Sequence, residues 1–225
     1  MAGKSSHTAA SHTAERIMKA CEQVICEADH FEEATLRKIT ARANTTPSAV
    51  SYYFGGQEQL LVMVAERVYQ RLNAERLSLL NRALAKSAPR PPSLADIIEA
   101  MVAPSVRWAL DPSSSHRVLV HLTQSAKTSQ NPEIYRNIVL DVEHHRQFVP
   151  HFRSHAPWLS DAEIGWRIAC ALAIRSQVLS ARTRTRALTG STFALDSADA
   201  IVAQIVAVVV PMFARPPEPS PHRNS

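Results

Sequence analysis

Apolar residues recur along this chain at spacings of three and four, and strand-like alternation is almost absent, so the pattern predicts an all-helical protein. Ile17, Ala20, Cys21, Val24, Ile25 and Ala28 form one 3.6-residue stripe, which predicts a first helix over about residues 14–28 with Ser11 or Thr13 as its cap. Leu36, Ile39 and Ala43 predict a short second helix that begins after Thr35. Asn44 and Thr45 read as a turn. Thr46 then serves as N-cap for a third helix over about residues 47–53, with Pro47 in its first position, where a missing N–H costs nothing.

Gly55 and Gly56 stop that helix, and a long one follows over about residues 57–84 on Leu60, Leu61, Val64, Val68, Leu72, Leu80 and Leu84. It is long enough to connect two domains. Residues 86–93 (KSAPRPPS) read as a linker, and Ser93 with Asp96 starts a helix over 94–103. Pro104 is expected to break or kink it before a further segment, 105–110. Helices follow over 115–127 and, after Asn131-Pro132, over 133–148, while two prolines make 149–159 irregular. The last two helices span about 161–182, opened by a Ser160–Glu163 capping box and closed by Arg182, Arg184 and Arg186, and 198–214. The first carries Ile164, Trp166, Ile168, Leu172, Ile174, Val178 and Leu179, the second Ile201, Val202, Ile205, Val206 and Val208 to Val210, so each is apolar on more than one face. Such helices must be sandwiched, which predicts a homodimer through 161–182 and 198–214. The domain reading is an N-terminal arm (1–12), a small helical domain (13–58), a larger one (59–214) and a disordered tail (215–225).

Composition fits this picture without demanding it. With 225 residues, 45% of them hydrophobic, the chain can bury a good core. Three cysteines at scattered spacings (Cys21, Cys26, Cys170) fit reduced thiols in a cytoplasm, with Cys21 and Cys170 expected in the core. The first residues hold no apolar run of a signal peptide. The longest apolar stretch, 198–214, is interrupted by Asp199, Gln204 and Pro211 and is short for a span of about 20 residues, so no membrane is expected. Net charge is +5 and pI 9.4, yet acidic residues outnumber basic ones over 1–58. What counts is placement: Arg37, Lys38 and Arg42 cluster on the second helix, whereas Glu15, Glu22, Glu27, Glu32 and Glu33 sit on the first or the loop after it.

Residues 35–54, TLRKITARANTTPSAVSYYF, have the layout of a helix-turn-helix DNA reader. Together with ERIMKACEQVICEADHF before it and GGQEQLL after it, residues 15–61 resemble the DNA-binding domain of the TetR family of bacterial one-component regulators. The likeness rests on Ala43 and two turn residues before Thr46, the aromatic Phe54, and Glu58 with Leu60-Leu61 opening the long helix. Departures are His30 and Asn44 where glycines are usual, Ser48 for the small glycine of the third helix, Ser51 and Tyr53 at the tyrosine and histidine places, and Gln57 where a phosphate-binding lysine is common. Residues 62–225 share only the family's architecture. The resemblance implies a three-helix helix-turn-helix domain joined by a long fourth helix to an all-helical ligand-binding and dimerisation domain. It further implies a homodimeric repressor of a palindromic double-stranded DNA operator, released by a small-molecule effector that shifts the fourth helix. The alternative is an architectural or division-control protein of the same fold without an effector.

On this reading the third helix enters the major groove with Thr46, Pro47, Ser48 and Ser51 near base edges. Arg37 stands where several family members reach a guanine, a bidentate contact worth about 1–3 kcal/mol of discrimination. Thr35, Thr46, Tyr52, Tyr53 and Gln57 bind phosphates, and Lys4 or His7 of the arm adds contacts. Competing readings are that Arg37 and Lys38 merely solvate a helix face and that Tyr52 or Tyr53 packs inside the small domain. Effector-pocket candidates are Met101, Trp108, Leu119, His121, Leu122, Tyr135, Phe148 and Trp166, each of which also suits plain core packing. His144, His145, His151 and His155 near Asp141 and Glu143 include i, i+4 pairs, but Pro150 and Pro157 interrupt them and no cysteine joins, so no metal and no cofactor are expected. Neither a phosphate-cradling glycine loop nor a nucleophile motif is present, so no enzyme is expected.

Overall fold

The computed structural model describes residues 3–190 and 192–215, the side chains of residues 3–10 and of Phe31 excepted. Among the described residues all regular structure is helical. The helices are α1 (Gly3–Glu27), α2 (Leu36–Arg42), α3 (Pro47–Phe54), α4 (Gln57–Ser87), α5 (Leu94–Leu110), α6 (His116–Thr128), α7 (Glu133–Leu140), α8 (Glu143–Arg146), α9 (Val149–His155), α10 (Asp161–Ser180), α11 (Arg182–Thr189) and α12 (Ala198–Val209), with 3-10 turns at Phe31–Glu33 and Val210–Phe213. They form two compact units, Met1–Ala74 with Asp111–Asp141, and Glu75–Leu110 with Val142–Ser225. Helix α4 thus belongs to both. None of the described helices is long and apolar enough to cross a membrane.

In the first unit α1 packs on α2 and α6, and α2 on α3. Ile17, Cys21, Val24, Ile39, Val50, Phe54, Leu60 and Leu61 are buried. The cap expected at Thr46 forms, its hydroxyl accepting from the Ala49 N–H at 3.4 Å, and the Thr35 hydroxyl caps α2 in the same way, accepting from the Lys38 N–H at 3.3 Å. Asn44 has φ 48°, and its N–H and that of Thr45 donate to the Ala41 and Thr40 carbonyls, a Schellman closure of α2 in which Asn replaces the usual glycine. Gly55, at φ 78°, closes α3. Helix α1 starts at Gly3, not near residue 14, because neither Ser11 nor Thr13 interrupts an Ala-containing run that is free of proline. The contacts read for Lys4 and His7 rest on side chains outside the described ones, and the tail beyond Arg215 lies outside the described residues.

In the second unit α5 packs on α12, α10 and α9 around Ile97, Met101, Val102, Phe148, Phe152, Ile164, Ile201, Ile205 and Phe213. Phe152 and Phe213 stack with ring centroids 4.6 Å apart. Four expectations are corrected here. Pro104 sits inside an unbroken α5, because it removes one rung of the ladder while the segment from Ile97 to Val106 is buried almost throughout. The helix expected over 133–148 is split: Asp141 takes extended backbone, and Val139, Leu140 and Val142 are exposed, so no apolar stripe carries the helix across. The segment expected to be irregular contains α9, with Pro150 in its first turn, where no donor is needed. Finally, α10 ends at Ser180, so Arg182, Arg184 and Arg186 lie on the separate α11, where Arg186 pairs with Asp196 at 2.7 Å. Cys21 is buried, whereas Cys170, expected in the core, is half-buried.

Candidate nucleic-acid interface

Helix α3 has two unlike faces. Val50 and Phe54 are buried, whereas Pro47, Ser48, Ser51 and Tyr52 are exposed, Tyr52 to 82%. The exposed face bears no charge and, apart from Tyr52, only short side chains, so a partner can come close to its backbone. Thr46 and Ser48 hydroxyls lie 3.0 Å apart, and the Ser51 hydroxyl donates back to the Pro47 carbonyl at 3.4 Å. Tyr53 is half-buried and meets Tyr52 edge-on, with ring centroids 5.0 Å apart. On α2, Arg37 and Lys38 are exposed. Lys38 pairs with Glu33 at 3.3 Å, and Arg42 with Glu27, whose carboxyl the Arg42 hydrogen bond holds below its usual range. Arg37 makes no such pair among the described residues, which leaves its guanidinium available to a ligand. Thr35 is exposed, and the exposed Gln57 donates its amide to the Ala34 carbonyl at 3.2 Å.

Behind this face the first unit is tied together by polar contacts that the sequence did not announce. Arg117 of α6 donates to the carbonyls of Cys26, at 3.2 Å, and Ala28. Arg71 of α4 reaches Glu22 of α1 and the Ser115 hydroxyl, and Arg67 holds Glu15 at 2.9 Å. The buried Tyr135 of α7 donates to Glu58 at 3.2 Å. These bonds brace α1 and α4 against α6 and α7.

Comparison with known proteins bears on the C-terminal half of the chain, across parts of both units. A family model described as tetracyclin repressor-like, C-terminal domain, matches residues 99–211. The chain belongs to the tetracyclin repressor-like family. A structural-genomics crystal structure of a proposed transcriptional regulator from Rhodococcus sp. RHA1 is similar in fold, with a TM-score of 0.52 and 20% identity over 88% of this chain and 95% of that one. No curated protein matches. The family's regulators of transcription bind DNA and dimerise.

Within this tetracyclin repressor-like chain the effector candidates separate into two groups. Leu119, His121, Leu122 and Tyr135 belong to the first unit, where His121 and Tyr135 line a cavity and Leu119 and Leu122 are buried. Met101, Trp108, Phe148 and Trp166 belong to the second. There Met101 and Phe148 are fully buried, the Trp108 indole donates to both Glu75 oxygens at 3.0 Å, and Trp166 is 71% exposed. No group of three or more His, Cys, Asp or Glu among the described residues is placed to hold a metal ion. The His144 and His145 ring centroids lie 3.9 Å apart with the rings tilted by 47°, and a His155 ring nitrogen lies 2.7 Å from the Pro92 carbonyl.

Sequence reasoning missed a polar centre in the second unit. Arg76 is buried on α4 and donates to the Met101 carbonyl at 3.1 Å and the Ser105 hydroxyl at 2.6 Å, and Arg175 of α10 shares that hydroxyl at 3.2 Å. His145 lies in the same positive field, and burial followed by His144, Arg76 and Arg175 pushes it down to about 2. The signal was present: Arg76 falls on the α4 stripe of Val68, Leu72 and Leu80.

Proposed function

We propose that this chain is a cytoplasmic one-component repressor that binds a palindromic double-stranded DNA operator as a homodimer and is released by a small-molecule effector. The observation that carries the reading is the uncharged, short-chained outer face of α3, set behind its Thr46 cap and beside the unengaged Arg37. In a major groove such a face permits close approach, with Thr46, Ser48 and Ser51 at base edges, Pro47 against a thymine methyl and Arg37 on a guanine. Thr35, Lys38, Tyr52, Tyr53 and Gln57 are phosphate contacts, which fix register without reading sequence.

The dimer reading rests on α10 and α12. Their inner faces lie in the second core, yet Gly165, Trp166, Ala169, Ala173 and Val208 are exposed on their outer sides, and small residues there let two helices approach closely. A two-fold axis along these helices presents two copies of α3 to the two halves of a palindrome. A coupling of about 1–3 kcal/mol between effector and DNA is enough for release. The three free thiols are those of a reducing compartment.

Selection of duplexes from a random pool by the full chain tests the reading. The expected product is an inverted repeat whose half-sites lie about one helical turn, or a multiple of it, apart. Recovery of unrelated duplexes, or of a single half-site, contradicts it.

A further inference from the structure

A cavity of about 580 Å³, open to solvent on one side, lies in the first unit, within the size range of small-molecule sites (roughly 300–1,000 Å³). Its floor is apolar and comes from the helices that hold the reader in place: Cys21 and Ile25 of α1, Leu36 and Ile39 of α2, Leu61 of α4. Its other wall comes from α6, α7 and the turn between them, with Ser125, Asn131, His121 and Tyr135.

The charge of this lining is one-sided. Glu32 and Glu58 both face the cavity, and among the described residues no Lys or Arg lines it. Burial lowers the pKa of His121, which favours the neutral ring, and raises that of the Tyr135 phenol to about 12, helped by Glu58. Tyr135 is 1% exposed and spends its proton on Glu58, so the carboxylate is held in place beside an aromatic ring. An ammonium group gains from such a carboxylate, whereas an anion is repelled by both glutamates.

We propose that this cavity binds a small organic cation, an amine on an apolar body, with the ammonium at Glu58 and the body on the floor of Ile25, Ile39 and Leu61, and that its occupancy is linked to DNA binding. The second half rests on the function proposed above, since Thr35 and Gln57 line the cavity and are also the phosphate contacts of that reading. A ligand touching α1, α2 and α4 together changes the freedom of the helices that carry α3, and linkage then acts in both directions.

Calorimetric titration of the full chain with benzylamine, benzyl alcohol and benzoate, which share a shape and differ in charge, tests the site. Benzylamine is expected to bind in the millimolar range or tighter and at least about tenfold better than the other two, the margin of a charge-assisted contact. Glu58→Gln, which keeps the shape and the hydrogen-bond acceptor, is expected to remove that margin, and Ser125→Phe to block the cavity, with thermal melts confirming that both variants fold. No binding of benzylamine, equal binding of the alcohol, or benzylamine affinity unchanged in both variants overturns the site. Binding to the selected duplex is then measured with and without saturating benzylamine. A shifted affinity supports the linkage and an unshifted one overturns it. A chain that binds benzylamine as expected but no DNA refutes the DNA-binding reading, and the linkage with it, while leaving the cation site standing.

Discussion

The Arg117 guanidinium, in the first turn of α6, donates to the Cys26 carbonyl at 3.2 Å and to the Ala28 carbonyl just past the end of α1. Terminal helix carbonyls have no partner within their own helix, and a cation there also complements the negative end of the helix dipole. Arg117→Ala is therefore expected to lower the stability of the first unit by about 1–2 kcal/mol, with Arg117→Lys restoring part of it. Urea denaturation read alongside amide exchange at the end of α1 checks this. Unchanged exchange at Cys26 to Ala28 would show that the contact carries no stability.

Asn44 holds the left-handed backbone on which the α2–α3 turn depends. Asn44→Gly is expected to be neutral or stabilising, and Asn44→Val to cost about 1–2 kcal/mol because Cβ branching clashes in that region. Thermal melts of the two variants decide it, and equal melting would remove the turn's strain from the account.

A pH dependence follows from His145, pushed down to about 2 in the folded chain. Unfolded histidine titrates near ~6.5. Below that pH the unfolded chain takes up a proton that the folded chain refuses, so the contribution of neutral His145 is complete above it and shrinks as pH falls. From about pH 7.5 to about pH 5.5 a single such group removes about 1.4 kcal/mol of stability. His121, lowered by burial, acts in the same direction. His145→Asn is therefore expected to flatten the slope of stability against pH without abolishing it, and an unaltered slope would contradict the buried position.

The proposed dimer depends on the outer side of α10. Trp166→Glu is expected to convert a particle of twice the 24.8 kDa chain mass into a monomer, as measured by sedimentation equilibrium. Because Trp166 is 71% exposed in the single chain, folding of the protomer should survive. A variant that remains dimeric places the interface elsewhere.

The first three helices, apart from the start of α1, were legible in the sequence because their signals are local: a stripe, the Thr46 cap, Pro47 in a first turn and Gly55 at an end. Pro104 misled because its penalty is local while the burial that overrides it comes from α9, α10 and α12. Asp141 was silent for a similar reason, since hydrophobic period alone gives no sign that Val139 and Leu140 face solvent. The outer face of α3 could be read directly. Its supports could not, because Arg117 and Cys26, or Tyr135 and Glu58, meet across long stretches of chain. Nor did the sequence pattern indicate that α6 and α7 share a compact unit with α1 to α3, which is what walls the cavity. The N-terminal motif and the family match at 99–211 cover different parts of the chain and lead to the same family.

The central claim, that the outer face of α3 lies against DNA, is tested most directly by Ser48→Glu. Ser48 is exposed in the first turn of α3, where an acid suits the helix dipole, so the fold should be as stable as before or slightly more so. The same carboxylate would face the phosphates and base edges of a major groove, and affinity for the selected duplex, measured by fluorescence anisotropy, is expected to fall at least about a hundredfold. Wild-type affinity in a folded Ser48→Glu protein would contradict the account.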